Sequence, residues 1–180
     1  IPTALLKKGV NIFTEPISTI CNQCIDEGIF PEVLKKSIVI PIHKSGDKRV
    51  VSNYRPISLL SVIAKILEKI INRRLKHFLE ANNLISQNQF GFREKKSTDN
   101  ALTELTSYVV ENLDRGQKTL GIFLDLAKAF DTVSIPILIR KLEYIGIRGP
   151  PLRLITDYLS NRQQGVKIEG YVSQQESCQF

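Results

Sequence analysis

The chain of 180 residues contains no methionine and only three cysteines. Three cysteines do not make a disulfide framework, so the composition points to a reducing compartment. An open reading frame starts with Met, and the absence of any Met suggests a piece of a longer protein, as does a final stretch, Gln-Glu-Ser-Cys-Gln-Phe, with no helix stop or polar tail. No stretch reaches the ~20 apolar residues of a membrane span, and no secretory signal, internal repeat or low-complexity segment is visible. There is also no Gly-x-x-x-x-Gly-Lys phosphate loop and no Ser, His, Asp arrangement that reads as a nucleophile.

What is present is a globular composition, 42% hydrophobic and 24% charged, long enough for one sizeable domain with a core. Lys and Arg number 25 against 18 Asp and Glu, a net charge of +7. That balance favours an anionic partner, nucleic acid or nucleotide first, although a merely basic soluble protein has the same charge.

Periodicity predicts a helix over 11–27 ended by Gly28, with Pro16 confined to its start. A short helix over 31–36 opens on Pro31, and 37–42 reads as a strand that Pro41 marks as an edge or an end. Ser45-Gly46-Asp47 is a turn. Ser61 is placed to cap a long helix over 62–81, whose Ile63, Ile66, Leu67, Ile70, Ile71, Leu75 and Phe78 recur at three and four. Lys65, Lys69, Arg73 and Lys76 share one arc of that helix, readable either as a solvated face or as a phosphate-facing rail.

Thr98 or Asp99 would cap a helix over 99–115, with Leu102, Leu105, Tyr108, Val109 and Leu113 inward and Gly116 at its end. A strand over 119–126 follows. Ser134 with Pro136 starts a helix ended by Gly146, Pro150 and Pro151 open another to about Ser160, and 165–169 and 171–175 pair around Gly170. Such an order fits an α+β fold. Cys21 and Cys24 have zinc-like spacing but sit on a predicted helix with no second pair, which favours buried small hydrophobes over a metal site.

The most informative stretch is 120–133. An apolar run, Ile122 to Leu124, delivers a carboxylate, Asp125, at its end, and Phe130 and Asp131 follow a short turn. An acid pushed from a buried strand into a cleft suits a hard divalent cation, although an isolated Asp is as readily a turn cap. Asp131 reads as a helix cap or an ion-pair partner and is not assigned to a metal.

These residues resemble a known family. Leu124-Asp125-Leu126-Ala127-Lys128-Ala129-Phe130-Asp131-Thr132-Val133 resembles the first catalytic motif of reverse transcriptases, most closely those of jockey-type retrotransposons without long terminal repeats. Val39 to Asp47 resembles the fingers strand and turn of that family. Asn53-Tyr54-Arg55-Pro56-Ile57-Ser58-Leu59-Leu60 resembles its next block, and Gln89-Phe90-Gly91-Phe92-Arg93 with Ser97-Thr98 the one after. Tyr158 to Gln164 resembles a further block. Together they cover roughly 37–175 in the family's order.

The resemblance implies an incomplete right-hand polymerase fold: a helical extension over 1–36, then fingers and the first half of the palm over 37–180. Asp125 would be the catalytic metal ligand. The backbone amides of Lys128 and Ala129 would meet the triphosphate, and Phe130 would lie under the sugar, leaving no room for a 2′-hydroxyl, unless it is plain core packing. Lys44 and Arg55 would reach the triphosphate, where fixed positive charge offsets phosphate charge; otherwise Lys44 is surface charge and Arg55 a structural ion pair. Gln89, Gly91, Phe92 and Arg93 would touch the template, against a reading of Gly91 as a turn between two core aromatics.

The complete enzyme would be an RNA-directed DNA polymerase using two Mg2+ ions, an RNA template, a DNA primer and deoxynucleoside triphosphates. It would be a monomeric domain of a larger polyprotein, off the membrane, in nucleus and cytoplasm as a ribonucleoprotein. The aromatic-x-Asp-Asp hairpin and the Gly-rich block of the family do not occur in these 180 residues. The chain alone is therefore expected to be inactive and to hold the ions weakly. The competing reading is a catalytically dead, domesticated relative that binds nucleic acid.

Overall fold

The structure is a computed structural model that describes residues 2–126 and 128–178. It mixes helices and strands, as the α+β expectation requires. Contacts divide the chain into two units, Ile1–Arg73 together with Phe130–Phe180, and Arg74–Ala129.

In the first unit a short helix α1 (Thr3–Lys8), which periodicity did not separate, precedes α2 (Val10–Glu27). Pro16 lies inside α2 rather than at its start. That face is exposed, so water can take up the carbonyl that a proline leaves without a donor. Gly28 ends α2 with φ 72°, and a Cβ there would come within 2.8 Å of the Pro150 carbonyl oxygen. Only glycine meets both demands. Pro31 then leads into a single 3-10 turn, Glu32–Leu34, shorter than the helix predicted.

Strand β1 (Lys36–His43) lies between β2 (Tyr54–Leu59) and β3 (Gln163–Ile168), antiparallel to the former and parallel to the latter. Strands β4 (Tyr171–Val172) and β5 (Glu176–Ser177) both pair with β3. β2 was not predicted as a strand. Pro41 sits inside β1 opposite Pro56. The Lys44 amide donates to the Asn53 carbonyl at 2.8 Å, which makes that pair hydrogen-bonded and, by alternation, makes the two prolines a non-bonded pair. Pairing of β1 with β3 ends at Val39, so the Pro41 nitrogen faces no ladder partner there.

Helices α3 (Val62–Ala81), α5 (Ile135–Tyr144) and α6 (Gly149–Leu159) form where predicted. Ser61 Oγ accepts from the Ala64 amide at 3.1 Å, the expected cap. α2, α3 and α6, with the segment after Gly28, share a core of Cys21, Cys24, Phe30, Leu34, Ala64, Leu67 and Leu154. Both thiols serve there as small apolar groups, and burial pushes both above the usual thiol range.

A charged joint ties this core to α6. Lys35 is 1% exposed and its Nζ donates to Asp157 at 2.7 Å and to Glu32 at 2.6 Å. The other Asp157 oxygen accepts from the Phe30 amide at 2.7 Å. Burial alone would lower the Lys35 ammonium, but the two carboxylates outweigh it and hold its pKa above the ordinary lysine value. Tyr158 packs edge-on against Phe30 and donates to Glu68 at 3.0 Å.

The second unit holds α4 (Thr98–Asp114), capped by Ser97 rather than by Thr98 or Asp99. Ser97 and Asn100 form a reciprocal capping box. Leu102, Leu105, Tyr108 and Leu113, predicted inward, are exposed, as no other described element of the unit packs over them deeply enough to bury one. The strand predicted over 119–126 does not form. Its described residues take no regular secondary structure, and Leu124 is 90% exposed. A strand draws its hydrogen bonds from a neighbour, and no described strand pairs with this segment.

Candidate functional site

The hairpin of β1 and β2 carries two of the expected nucleotide-binding residues. Arg55 pairs with Ile42, so their side chains share a face. Lys44 lies two residues beyond Ile42, and its amide continues the ladder to Asn53. Alternation therefore places Lys44 and Arg55 on one face of the hairpin, both exposed. Neither forms a salt bridge among the described residues, so the structural ion-pair reading of Arg55 gains no support.

The turn between the strands is tied internally. Asn53 Nδ2 donates to the Asp47 carbonyl at 2.8 Å, and Tyr54 Oη donates to the Lys48 carbonyl at 2.9 Å. The Arg49 amide donates to Asp47 Oδ1 at 2.9 Å, and the His43 ring lies 3.1 Å from the Gly46 carbonyl oxygen. Gly46 has φ 83°, and a Cβ there would meet Asn53 at 2.8 Å. Asn53 and Tyr54 thus brace the turn beside Lys44.

A second constellation lies in the loop between α3 and α4. The Arg93 side chain is 10% exposed. Its Nε and Nη2 donate to the two Glu80 carboxylate oxygens at 2.9 and 2.7 Å, and its Nη1 donates to the Ser86 carbonyl at 2.9 Å. That hydrogen-bonded pairing with Arg93 holds the Glu80 carboxyl below its ordinary range. Lys96 Nζ donates to the Gln87 carbonyl at 3.1 Å and sits 4.5 Å from the centre of the Phe90 ring. Phe92, between these supports, has φ 62° and is 80% exposed. Gln89 is exposed and its amide nitrogen reaches the Gly91 carbonyl at 3.2 Å. Glu80 was not among the residues predicted; its partner lies 13 positions away and no local pattern announces the pair.

The third constellation is the segment of Asp125. The expected buried strand is absent, and Asp125, Lys128, Ala129 and Phe130 are all exposed. Phe130 is 77% exposed and lies outside the buried core of the described residues, while Lys128 has φ 53° in the turn that precedes it. Ala127, in the middle of the motif, lies outside the described residues. Asp125, Lys128 and Ala129 belong to the second unit, and Lys44, Arg55 and Phe130 to the first. No group of three or more His, Cys, Asp and Glu among the described residues could hold a metal ion.

Comparison with known proteins bears on all three constellations. A family model described as reverse transcriptase (RNA-dependent DNA polymerase) matches residues 42–179. The chain is 34% identical over 159 residues to the RNA-directed DNA polymerase from mobile element jockey of Drosophila melanogaster, 87% of the chain and 17% of that relative. It is 30% identical over 158 residues to a probable RNA-directed DNA polymerase from transposon BS of the same species, with the same coverage. The jockey polymerase of Drosophila funebris is 32% identical over 153 residues, 84% of the chain and 16% of the relative. The chain thus spans about a sixth of the curated relatives it matches. A match that runs through Lys44, Arg55, the Gln89 loop and Asp125 leaves one conclusion: the chain belongs to the reverse transcriptase (RNA-dependent DNA polymerase) family.

Proposed function

We propose that this chain contributes the fingers and the first half of the palm, residues 37–180, to an RNA-directed DNA polymerase, with residues 1–36 as a helical extension. The full protein adds deoxynucleotides to a primer 3′-hydroxyl on an RNA template. The observation that carries this reading is the family match over residues 42–179, which contains every residue given a role below.

Lys44 and Arg55, on one face of a braced hairpin, offset the charge of the incoming triphosphate. The amides of Lys128 and Ala129 donate to it, and the Phe130 ring beneath the sugar excludes a 2′-hydroxyl. Asp125 is a metal ligand. A single carboxylate is short of the donor set that two divalent ions need, so the described residues do not hold the ions by themselves. In the complete protein we assign Mg2+ as the metal, with further ligands supplied from outside this chain. The deoxynucleoside triphosphates, template and primer are the partners. The protein acts in the nucleus and cytoplasm as a ribonucleoprotein, as one domain of a polyprotein. Among the described residues no helix is long and apolar enough to cross a membrane.

Primer extension on an RNA template by the full protein tests this. Asp125→Asn lowers extension by about a thousandfold or more, as expected for loss of charge at the reacting phosphate, and leaves RNA binding unchanged. Extension by the variant at the parental rate overturns the reading. A parent protein that binds RNA and extends nothing selects the domesticated binding relative instead.

A further inference from the structure

We infer that Glu80 is a positioning residue for the Gln89–Phe92 loop, and that Arg93 is the strut through which it acts rather than a contact to the template. The inference rests on the polymerase reading and deepens it: the loop grips a single-stranded template through the Phe92 ring and its neighbouring backbone, not through the Arg93 charge.

The geometry is that of a closed brace. Glu80 lies in the last turn of α3, on a regular element. Arg93 spends three N–H groups on Glu80 and on the Ser86 carbonyl, so its fork joins the helix end to both limbs of the loop. A guanidinium so committed, with its side chain 10% exposed, has little left for a phosphate. Lys96 makes a second tie, to the Gln87 carbonyl and the Phe90 ring. Between the ties the chain enters the left-handed region at Phe92 and again at Lys95, with φ 62° and 60°. A non-glycine residue keeps that conformation only when its surroundings enforce it. The result is an aromatic ring presented to solvent on a fixed backbone. A flat ring accepts any base by stacking, which suits a template whose sequence is not read.

The two roles for Arg93 predict opposite signs. If Arg93 contacts phosphate, Glu80→Gln frees it, removes a repelling carboxylate and tightens RNA binding. If Arg93 is the strut, the same change loosens the loop and weakens binding. The test measures binding of a labelled 20-nucleotide oligouridylate to the full protein over a range of salt, for the parent, Glu80→Gln, Arg93→Lys and Phe92→Ala. The strut predicts that Glu80→Gln, Arg93→Lys and Phe92→Ala each weaken binding about tenfold, the loss of one stacked base, with an unchanged salt slope. A lost phosphate contact instead shallows the slope by about 0.7.

Hydrogen exchange without RNA gives a second readout: Glu80→Gln and Arg93→Lys speed exchange at Ser86–Arg93. Tighter or unchanged binding by Glu80→Gln, unchanged binding by Phe92→Ala, or unchanged exchange overturns the inference. Primer extension by the parent protein reports separately on the polymerase reading, so the two failures are told apart.

Discussion

The two units differ in what their apolar residues do. In Ile1–Arg73 with Phe130–Phe180, helices α2, α3 and α6 bring their apolar faces together over Cys21, Phe30, Ala64, Leu67 and Leu154. In Arg74–Ala129 no described residue is buried, although α4 has a helical apolar pattern and 120–126 is a near-continuous apolar run. Amphipathic patterning is therefore a statement about demand. It says that a face seeks a partner, and burial follows only where a second face is supplied. The second unit is held instead by polar ties, the Ser97–Asn100 capping box and the Arg93–Glu80 brace.

Hydrogen exchange probes this contrast most severely. Amides of β1 and of α2 near Cys21 and Cys24 should exchange about a thousandfold or more slower than those of 117–126. Equal protection in the two would erase the distinction.

Core truncation comes next. Leu67→Ala should cost about 3 kcal/mol, since it empties a fully buried site, whereas Leu105→Ala in α4 should cost less than about 0.5 kcal/mol. Urea unfolding of both variants checks the pair, and similar costs would mean that α4 is covered. Lys35→Ala leaves Asp157 with only the Phe30 amide and should cost about 2–3 kcal/mol, toward the low end for a buried pair because Asp157 is a third exposed.

The remaining effect is one of pH. Burial first, then Glu68, pushes Tyr158 up to about 12, with Arg162 opposing. The folded state therefore holds the phenol proton more tightly than the unfolded chain does. Its contribution is complete below pH 10 and lost between about 10 and 12, at no more than about 1.4 kcal/mol per pH unit. Lys35, also raised, loses its contribution in the same direction as pH climbs through its folded value. Alkaline titration of stability should show the decline, and Tyr158→Phe should flatten part of it.

Much of the fold was legible from local signals. Gly28 ended α2, Ser61 capped α3, and Ser134 and Pro150 marked the starts of α5 and α6 within a residue or so. The readings that failed were those that needed to know a neighbour. The 119–126 run has strand composition but no described strand beside it; 54–59 was read only as part of a motif, and it forms β2 because Pro56 lies opposite Pro41 in a pair that needs no bond. Lys44 and Arg55 were chosen from a motif, and only the register put them on one face. Arg93 was read from the motif as a template contact, and only the structure shows its pairing with Glu80.

The sequence by itself determined the longer helices, most of their ends and the family, because capping, the sign of φ and a motif are properties of residues a few positions apart. The tertiary structure alone decided which apolar faces are buried, that Lys35 meets Asp157 and that Arg93 meets Glu80. A carboxylate 122 or 13 positions away leaves no periodic trace along the chain, and desolvation takes hold only when a second surface arrives.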